Sequence, residues 1–474
     1  MPSFARRPGL VANLGISYVF SLFFLGLPLA AQDSPSSPAD PPIVITADWS
    51  AKAGTTTSQN YGVDGFTAFD PVNAANPKYQ QNLAYLGVGL IRFHSWDMIT
   101  DSSLIPCGWL DMKNQQWDAS KIASALAAFK GSKAALLINI PGFPAWFKTE
   151  DDMLDASEVG RYAAFCAELV KIVNIQNKNK VRYWEITNER DDPYWNNALQ
   201  NNGVVHTAAL VDLFNQCARA MKAVDPTIQT GGPAASRPDH LDQLRAFATG
   251  ALPNLDFFSI HAYASGSADD SDLTIFEKAK GFGDRVRDVR KMLDEVSPTR
   301  HIPLQLNEYN ISWSWQIQDP RMKNYEGAIF DALAMTSMAD AGAEGTCAWN
   351  ERDGTYGKMD ADYNLRPSAN VFHLLNLYGV GTIAATTVKN SDRVSAFAVQ
   401  NPDQGTRLLL LINESLTDHS IALQAGNWSG TADRYCLDQA GFRNDKVNLA
   451  DLGKPFPLPG HSMVFLVTTN GIPK

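Results

Sequence analysis

The chain has 474 residues, of which 45% are hydrophobic and 19% are charged, and its formal net charge at pH 7 is -10. This composition is typical of a globular protein, and the length indicates one large domain and one smaller domain. The negative net charge argues against nucleic acid as a partner, because the phosphate backbone would be repelled.

The N-terminal residues 1–31 are predicted to be a signal peptide. Arg6 and Arg7 form its positive region, residues 10–29 are mostly apolar, and Ala30-Ala31 supplies small residues for cleavage. An uncleaved membrane anchor is the alternative, since about 20 apolar residues are enough to span a bilayer. Residues 32–42 are rich in Ser, Pro and Asp and are predicted to be a linker. We therefore expect a secreted or periplasmic protein, in contact with a membrane only if the N-terminal segment is retained.

Residues 61–379 alternate short apolar runs with amphipathic stretches, a pattern typical of βα units around a parallel sheet. Eight strands are predicted, at residues 61–64, 88–93, 134–140, 181–187, 228–231, 257–260, 304–307 and 345–349. Helices are predicted between and after them, at residues 77–86, 119–129, 157–173, 204–224, 240–248, 275–296, 325–341 and 367–377. Eight such units predict an α/β fold, a (β/α)8 TIM barrel. A doubly wound open sheet is the alternative, but no glycine-rich phosphate loop follows the first strand.

Residues 380–474 have a different pattern, in which short apolar runs are separated by turn sequences such as 401–405 and 459–460. They predict a C-terminal antiparallel β-sandwich domain. Residues 43–60 precede the barrel, and the run Ile43-Val44-Ile45-Thr46 is expected to add a strand to that sandwich.

The five cysteines are sparse and odd in number, so they do not predict a disulfide framework, although the pattern is compatible with one disulfide. Cys166 and Cys217 fall in helical patterns, where a buried free thiol is expected. No group of His, Cys and Asp has the spacing of a zinc site. We expect neither a metal nor an organic cofactor.

Barrel enzymes carry their functional residues at the C-terminal ends of the strands. Two glutamates lie there, Glu189 after the fourth strand and Glu308 at the end of the seventh. The other side chains at these ends are polar or aromatic: Arg92, His94, Asn139, Asn188, His261, Tyr263 and Trp349. Hydrolysis of a glycosidic bond needs two carboxylates facing each other across one sugar, so the pattern predicts a carbohydrate as the substrate.

The motifs around these glutamates resemble those of a known group of enzymes. They are Asn188-Glu189, Gly231-Gly232-Pro233-Ala234, the segment 258–263 and Asn307-Glu308-Tyr309-Asn310. The chain resembles the clan of retaining (β/α)8 glycoside hydrolases that carry the acid/base on strand 4 and the nucleophile on strand 7. Within that clan it is most similar to glycoside hydrolase family 39.

The resemblance implies double displacement, with Glu308 as nucleophile and Glu189 as acid/base. It also implies that Asn188 binds the 2-hydroxyl of the sugar, Tyr263 hydrogen-bonds Glu308, His261 supports the site and Trp349 stacks on the sugar. Exo-acting hydrolysis like that of β-xylosidases and endo-hydrolysis of an exopolysaccharide are both open. Arg190 follows Glu189 where related enzymes usually have proline, so the substrate does not carry over.

Other residues near these positions have simpler interpretations. Glu185 is expected to be an interior ion-pair partner of Arg92, which would also hold Glu308 ionised. Glu351, in a second Asn-Glu dipeptide, is either a substrate contact or unrelated to catalysis. His94 and His261 are alternatively structural, and Trp349 is alternatively part of the core. Four further tryptophans fall in loops after strands and are candidate sugar contacts: Trp146, Trp195, Trp313 and Trp315.

Two other functions fit parts of this pattern. A non-catalytic carbohydrate-binding protein on the same scaffold would keep the aromatic residues but lose a catalytic acid, and both acids are present. A metal-dependent barrel hydrolase would need clustered His and Asp ligands, and His94 and His261 are too few.

Overall fold

A computed structural model of the chain describes residues 41–101, 103–104, 106–196 and 205–469. The predicted signal peptide and nearly all of the predicted linker lie outside the described residues. None of the helices in the described ranges is both long enough and apolar enough to cross a membrane.

Eight parallel strands close into a barrel in which each strand pairs with the next along the chain. The strands are Gly62–Asp64, Leu90–Phe93, Ala135–Ile140, Tyr183–Ile186, Gln229–Ala235, Phe257–Ser265, Leu304–Ser312 and Gly345–Ala348. The eighth strand closes the barrel against the first, with Cys347 beside Gly62. The predicted (β/α)8 barrel is therefore confirmed, and the open doubly wound sheet is wrong.

Helices follow the barrel strands on the outside, as predicted. The α-helices of the described residues are Pro71–Ala74, Pro77–Leu86, Ala119–Ala127, Val159–Val170, Thr207–Val224, Leu241–Ala251, Asp272–Val296, Tyr325–Asp340 and Ser368–Tyr378. Their ends follow local chemistry. Asn76 caps the helix Pro77–Leu86 by accepting from the N–H groups of Lys78 and Tyr79, and the helix ends at Gly87, which has a φ of 68°.

The N-terminal strand joins the C-terminal strands in one nine-stranded sheet. Its strands are Ile43–Thr56, Gly381–Lys389, Val394–Asn401, Thr406–Asn413, His419–Gln424, Thr431–Asp438, Gly441–Asn448, Phe456–Leu458 and Ser462–Thr468. Ile43–Thr56 pairs antiparallel with Gly381–Lys389 and parallel with His419–Gln424, so the expected extra strand is confirmed. Strands from both ends of the sheet share one apolar core, to which Ile43, Ile421 and Leu466 belong, so the sheet folds over on itself as the predicted β-sandwich.

The strand Thr406–Asn413 shows how the sandwich packs on the barrel. Leu409 and Leu411 lie in the core of the sandwich, whereas Leu408 and Leu410 lie in the core that includes the barrel. Successive side chains of a strand point to opposite faces, so an unbroken apolar run means that both faces are covered. This sheet therefore has the sandwich core on one side and the barrel on the other.

All five cysteines are free, and Cys166 and Cys217 are buried, as expected from their helical positions.

Candidate active site

The barrel brings Glu189 and Glu308 together at its C-terminal end. One carboxylate oxygen of each residue and one ring nitrogen of His261 all lie within 4.8 Å of one another. Carboxyl groups lie about 5–5.5 Å apart in retaining glycosidases and about 6.5–9.5 Å apart in inverting ones. An approach of the nearest oxygens to within 4.8 Å is compatible with the shorter of these two separations.

Glu308 is held by donors on both of its oxygens. The hydroxyl of Tyr263 donates to Oε1 over 2.7 Å, and Arg92 Nη1 donates to Oε2 over 3.0 Å. Burial, with the nearby carboxylates of Glu308 and Glu189, raises the pKa of Tyr263 well above its usual range, so the hydroxyl stays protonated and stays a donor. The side chain of Glu308 is only 8% exposed. The hydrogen bond from the Arg92 guanidinium is charge-assisted, so it is shorter and stronger than a bond between neutral groups.

Arg92 is the centre of the charge network beneath the two glutamates. It is fully buried and donates to Glu185 over 2.7 Å, to Asp64 over 2.6 Å and to the amide oxygen of Asn188 over 2.5 Å, in addition to Glu308. The expected ion pairs with Glu185 and Glu308 are both present. A buried guanidinium is stable only when it is paired in this way.

Two of the carboxyl groups around Arg92 have pKa values shifted in opposite directions. Burial raises the pKa of Asp64 well above its ordinary value, although Arg92 opposes this. Burial also disfavours ionisation of Glu185, but Arg92 outweighs it with the help of hydrogen bonds, and the pKa of Glu185 is lowered. Asn307 and Asn139 donate to Glu185 over 2.6 and 2.9 Å. Glu185 is thus an interior anion with a structural role.

Glu189 lies in a turn directly after the fourth strand, and its backbone N–H donates to the carbonyl of Ala234 over 3.0 Å. Although 35% of its side-chain surface is exposed, protein encloses the carboxyl group on its other sides. This desolvation raises the pKa of Glu189 to about 7, with Arg92 acting in the opposite direction. Glu189 therefore holds a proton over part of the neutral range while Glu308 faces a permanent cation.

The turn that carries Glu189 is held in an unusual backbone conformation. Thr187 and Glu189 have φ values of 66° and 51°, in the left-handed region that non-glycine residues rarely adopt. The amide of Asn139 donates to the carbonyl of Thr187 over 2.8 Å. On the other side, Asp191 accepts from the N–H and hydroxyl of Ser236. Residues on or just after the neighbouring strands thus stabilise the conformation that places Glu189 beside His261 and Glu308.

The two histidines have different positions in the site. His261 is fully buried, and its Nδ1 lies 2.9 Å from Glu189 Oε1 and 3.7 Å from Glu308 Oε2. His94 contacts the amide oxygen of Asn139 over 2.8 Å instead. Burial lowers the pKa of both rings, so both are neutral. His261 contacts the glutamate pair directly, whereas His94 acts through Asn139 and through the ring of Trp349, 5.5 Å away.

The family model described as glycosyl hydrolases family 39 matches residues 141–404, a span that contains both glutamates. This chain belongs to family 39 of the glycosyl hydrolases. A protein named β-xylosidase from Caldicellulosiruptor saccharolyticus is 25% identical over 272 residues, which are 53% of this chain and 51% of that protein. A β-xylosidase from Geobacillus stearothermophilus is 31% identical over 110 residues, 22% of each chain. This family 39 chain therefore spans about half the length of the first curated relative that it matches, and less of the second.

Solved structures resemble the fold of this family 39 chain. A monomeric β-xylosidase from Caulobacter crescentus superimposes with a TM-score of 0.65 at 17% identity, covering 90% of this chain and 99% of that one. A xyloglucanase of family 44 from Paenibacillus polymyxa does so with a TM-score of 0.62 at 13% identity, covering 90% and 100%. At these identities the likeness establishes the architecture of barrel and sandwich.

The tryptophans that are candidate sugar contacts differ in their exposure to solvent. Trp349 is partly buried at the end of the eighth strand, against the rings of Phe66 at 5.1 Å and His94. Trp313 and Trp315, in the loop after the seventh strand, are each 67% exposed. Trp195 is completely buried, so it is not a sugar contact. The partly buried Trp146 packs against Phe147 and Phe165.

Glu351 occupies a closed pocket of its own in this family 39 chain. It is fully buried, and its Oε1 accepts from the N–H and hydroxyl of Thr67 over 2.9 and 2.6 Å and from the hydroxyl of Tyr79 over 2.9 Å. Burial raises the pKa of Glu351 to about 7, close to that of Glu189. The raised pKa alone would therefore not distinguish Glu351 from Glu189. The complete burial of Glu351 does, because it keeps that carboxyl group from contact with substrate.

Two features of the site were not predicted from the sequence. Asp64, the last residue of the first strand, is a partner of Arg92, and its place at a strand end was the available signal. Arg190, which stands where relatives usually have proline, lies over the rings of Trp96 and Phe143 at 5.1 Å each and pairs with Asp152 over 2.7 Å.

The atoms of Glu189, His261 and Glu308 are close enough to hold a metal ion, but their surroundings do not suit one. Arg92 already donates to Oε2 of Glu308, the oxygen that lies 3.7 Å from His261 Nδ1, so this ligand atom is taken. The donor set is better suited to moving a proton between sugar, water and carboxylate.

Proposed function

We propose that this chain is a retaining glycoside hydrolase in which Glu308 is the nucleophile and Glu189 is the acid/base. The observation that carries the proposal is the approach of the two carboxylates to within 4.8 Å in two different electrostatic environments. Arg92 and Tyr263 donate to the two oxygens of Glu308. The raised pKa of Glu189, about 7, favours the protonated acid beside it.

In the first step Glu308 attacks the anomeric carbon and forms a covalent ester with the sugar. The bond to the leaving oxygen breaks, and Glu189 gives that oxygen its proton. Glu189, which has given up its proton, now acts as a base. In the second step Glu189 takes a proton from water, the resulting hydroxide attacks the anomeric carbon, and the ester bond to Glu308 breaks. Two inversions give net retention.

The surrounding residues position the sugar and the two acids. Asn188 is proposed to bind the 2-hydroxyl, because Arg92 fixes its amide oxygen at 2.5 Å and so orients the amide. His261 orients Glu189 through the 2.9 Å contact. Trp349 is proposed to stack on the apolar face of the sugar, with Phe66 and His94 holding its ring.

The proposed substrate is a β-linked oligosaccharide or polysaccharide of plant or microbial origin. β-Xylosides are the first to test, because both curated relatives carry the name β-xylosidase. The exposed Trp313 and Trp315 favour a substrate longer than one sugar, since aromatic rings at a cleft offer stacking surface to further units. Export is part of the proposal and rests on the sequence of residues 1–31.

A panel of aryl glycosides and polysaccharides tests the proposal with the wild type, Glu189→Ala, Glu308→Ala and the matched control Glu351→Gln. We expect Glu308→Ala to abolish hydrolysis. Glu189→Ala should hydrolyse substrates slowly. Azide should restore its activity on an activated substrate, and a β-substrate should then give a β-glycosyl azide as the product. Hydrolysis that survives Glu308→Ala would overturn the assignment. If no substrate is cleaved, a glycan-binding assay decides whether the protein is a carbohydrate-binding protein instead.

A further inference from the structure

A second cluster of ligating side chains lies where the sandwich meets two helices of the barrel. Asp272, Glu326 and His461 each place one ligand atom within 4.8 Å of the others. Asp272 begins the helix Asp272–Val296, Glu326 lies in the first turn of the helix Tyr325–Asp340, and His461 directly precedes the last strand of the sandwich. Three separate parts of the chain therefore meet at this point.

Two atoms of this cluster are buried without any hydrogen-bond partner among the described residues. They are Nδ1 of His461 and Oε2 of Glu326. His461 is only 5% exposed, and its Nδ1 lies 3.9 Å from Asp272 Oδ2, which is too far for a hydrogen bond. Buried polar atoms are nearly always paired, so two such atoms in one cluster indicate a missing ligand.

The ring of His461 is held in place by contacts that leave Nδ1 free. Its backbone N–H donates to the carbonyl of Ser415 over 2.7 Å, and the ring packs edge-on against Phe276 at 5.4 Å. The residue lines a cavity of about 540 Å³ together with Asp270 and Asp272. A histidine fixed in this way beside open space is arranged to accept a ligand.

The charges around the cluster favour a cation. Asp270, Asp272 and Glu326 are acidic, and the nearby Arg321 is bound chiefly by Asp319, with Nη2 to Oδ2 at 2.6 Å. Arg321 reaches Asp272 at 3.2 Å through Oδ1, whereas Oδ2 is the atom nearest His461. The other basic side chain that lines the cavity, Arg393, is paired with Glu277. The carboxylates thus exceed the positive charges that would neutralise them.

We propose that Asp272, Glu326 and His461 bind a divalent cation of the zinc class, which ties the sandwich to the barrel. One imidazole nitrogen and two carboxylate oxygens, with a water as fourth ligand, form a tetrahedral site of the kind that zinc adopts. At metal–ligand distances of about 2.0–2.1 Å the ligand atoms lie about 3.3 Å apart. The 3.9 Å between His461 and Asp272 then needs only a small side-chain rotation to close. The site uses neither Glu189 nor Glu308.

Zinc binding to the EDTA-treated protein tests this proposal by isothermal titration calorimetry and by the change in Tm. We expect the wild type to bind one equivalent of Zn²⁺ and its Tm to rise by several degrees, because a ligand that binds only the folded state stabilises it. His461→Gln should lose both effects. His301→Gln, which alters an exposed histidine paired with Glu344, should keep both.

Two additional variants keep the test decisive. Asp272→Asn should lose zinc binding even if His461→Gln does not fold, and the Tm of each variant in EDTA shows whether it is folded. Glu189→Gln should bind zinc like the wild type, which separates this cluster from the glutamate pair. The proposal is wrong if the wild type binds no zinc, if His461→Gln and Asp272→Asn bind it as tightly as the wild type, or if only Glu189→Gln loses it.

Discussion

Nδ1 of His261 lies 2.9 Å from Oε1 of Glu189, so a buried neutral ring contacts the residue proposed as the acid/base. His261 belongs to the sixth barrel strand and Glu189 to the turn after the fourth, so the contact joins two strands that are separated by the fifth. The same nitrogen lies 3.7 Å from Glu308. His261 thus contacts both glutamates.

Replacing His261 should reduce activity by misplacing Glu189 rather than by removing a reacting group. We expect His261→Leu to lower kcat/KM by about 10–100-fold, since small misplacements of catalytic groups have effects of this size. His261→Asn should recover part of the loss, because an amide can still reach Glu189. The comparison uses one aryl glycoside and matched Tm measurements. Equal losses in the two variants would contradict a positioning role.

The pH dependence of kcat/KM should show an alkaline limb near pH 7. Glu189, with its pKa raised to about 7, has to be protonated for the first step, so the active fraction falls as the pH rises through that value. With a pKa of about 7, about a tenth of the groups remain protonated at pH 8. In Glu189→Gln the limb should vanish for a substrate whose leaving group needs no proton. If the alkaline limb persists in Glu189→Gln, the limb reports the titration of another group.

Arg92 should be required for stability as well as for activity. Arg92→Met leaves the carboxylates of Glu185 and Glu308 without their cation, and breaking a buried ion pair costs about 3–5 kcal/mol. We expect a lower midpoint of urea unfolding and almost no hydrolysis. Arg92→Lys keeps the charge but cannot donate to four partners, so its stability and activity should lie between those of the wild type and of Arg92→Met. If Arg92→Met were as stable as the wild type, the network described for Arg92 would be refuted.

Glu351 and Glu189 share a pKa raised to about 7 but should differ in function. Glu351→Gln keeps an oxygen that can accept from Thr67 and Tyr79, so we expect activity within about threefold of the wild type and a stability change near 1 kcal/mol or less. Glu189→Gln should lose most of its activity on a substrate with a poor leaving group. A folded Glu351→Gln with a 100-fold loss would mean that Glu351 takes part in the reaction.

Trp313 and Trp315 should matter only for longer substrates. Both side chains are 67% exposed in the loop after the strand of Glu308. We expect the double variant Trp313→Ala/Trp315→Ala to raise KM for an oligosaccharide about tenfold, which corresponds to about 1.4 kcal/mol, with little effect on an aryl glycoside. Phe442→Ala removes an exposed ring from the sandwich and serves as the control. An equal effect on both substrates would argue against a role in binding further sugars.

The barrel could be predicted because most of its strands are short apolar runs bounded by breaks in the pattern, and most of their residues are buried. The helix Pro77–Leu86 was predicted to the residue, since Asn76, Pro77 and Gly87 are all local signals. The hairpin of Thr431–Asp438 and Gly441–Asn448 was missed. Gly441–Asn448 is almost entirely exposed and polar, so it has no alternation of apolar and polar residues to reveal a strand.

The sequence by itself determined which side chains stand at the ends of the barrel strands, because strand order and strand ends follow from local patterns. It therefore placed Glu189 and Glu308 at the same end of the barrel. Only the tertiary structure decided that Asp64 pairs with Arg92, that Glu351 is buried against Thr67 and Tyr79, and that Glu189 stays partly exposed. The reason is physical: burial and charge at each carboxyl group are set by neighbours that are distant along the chain, and no local pattern records them.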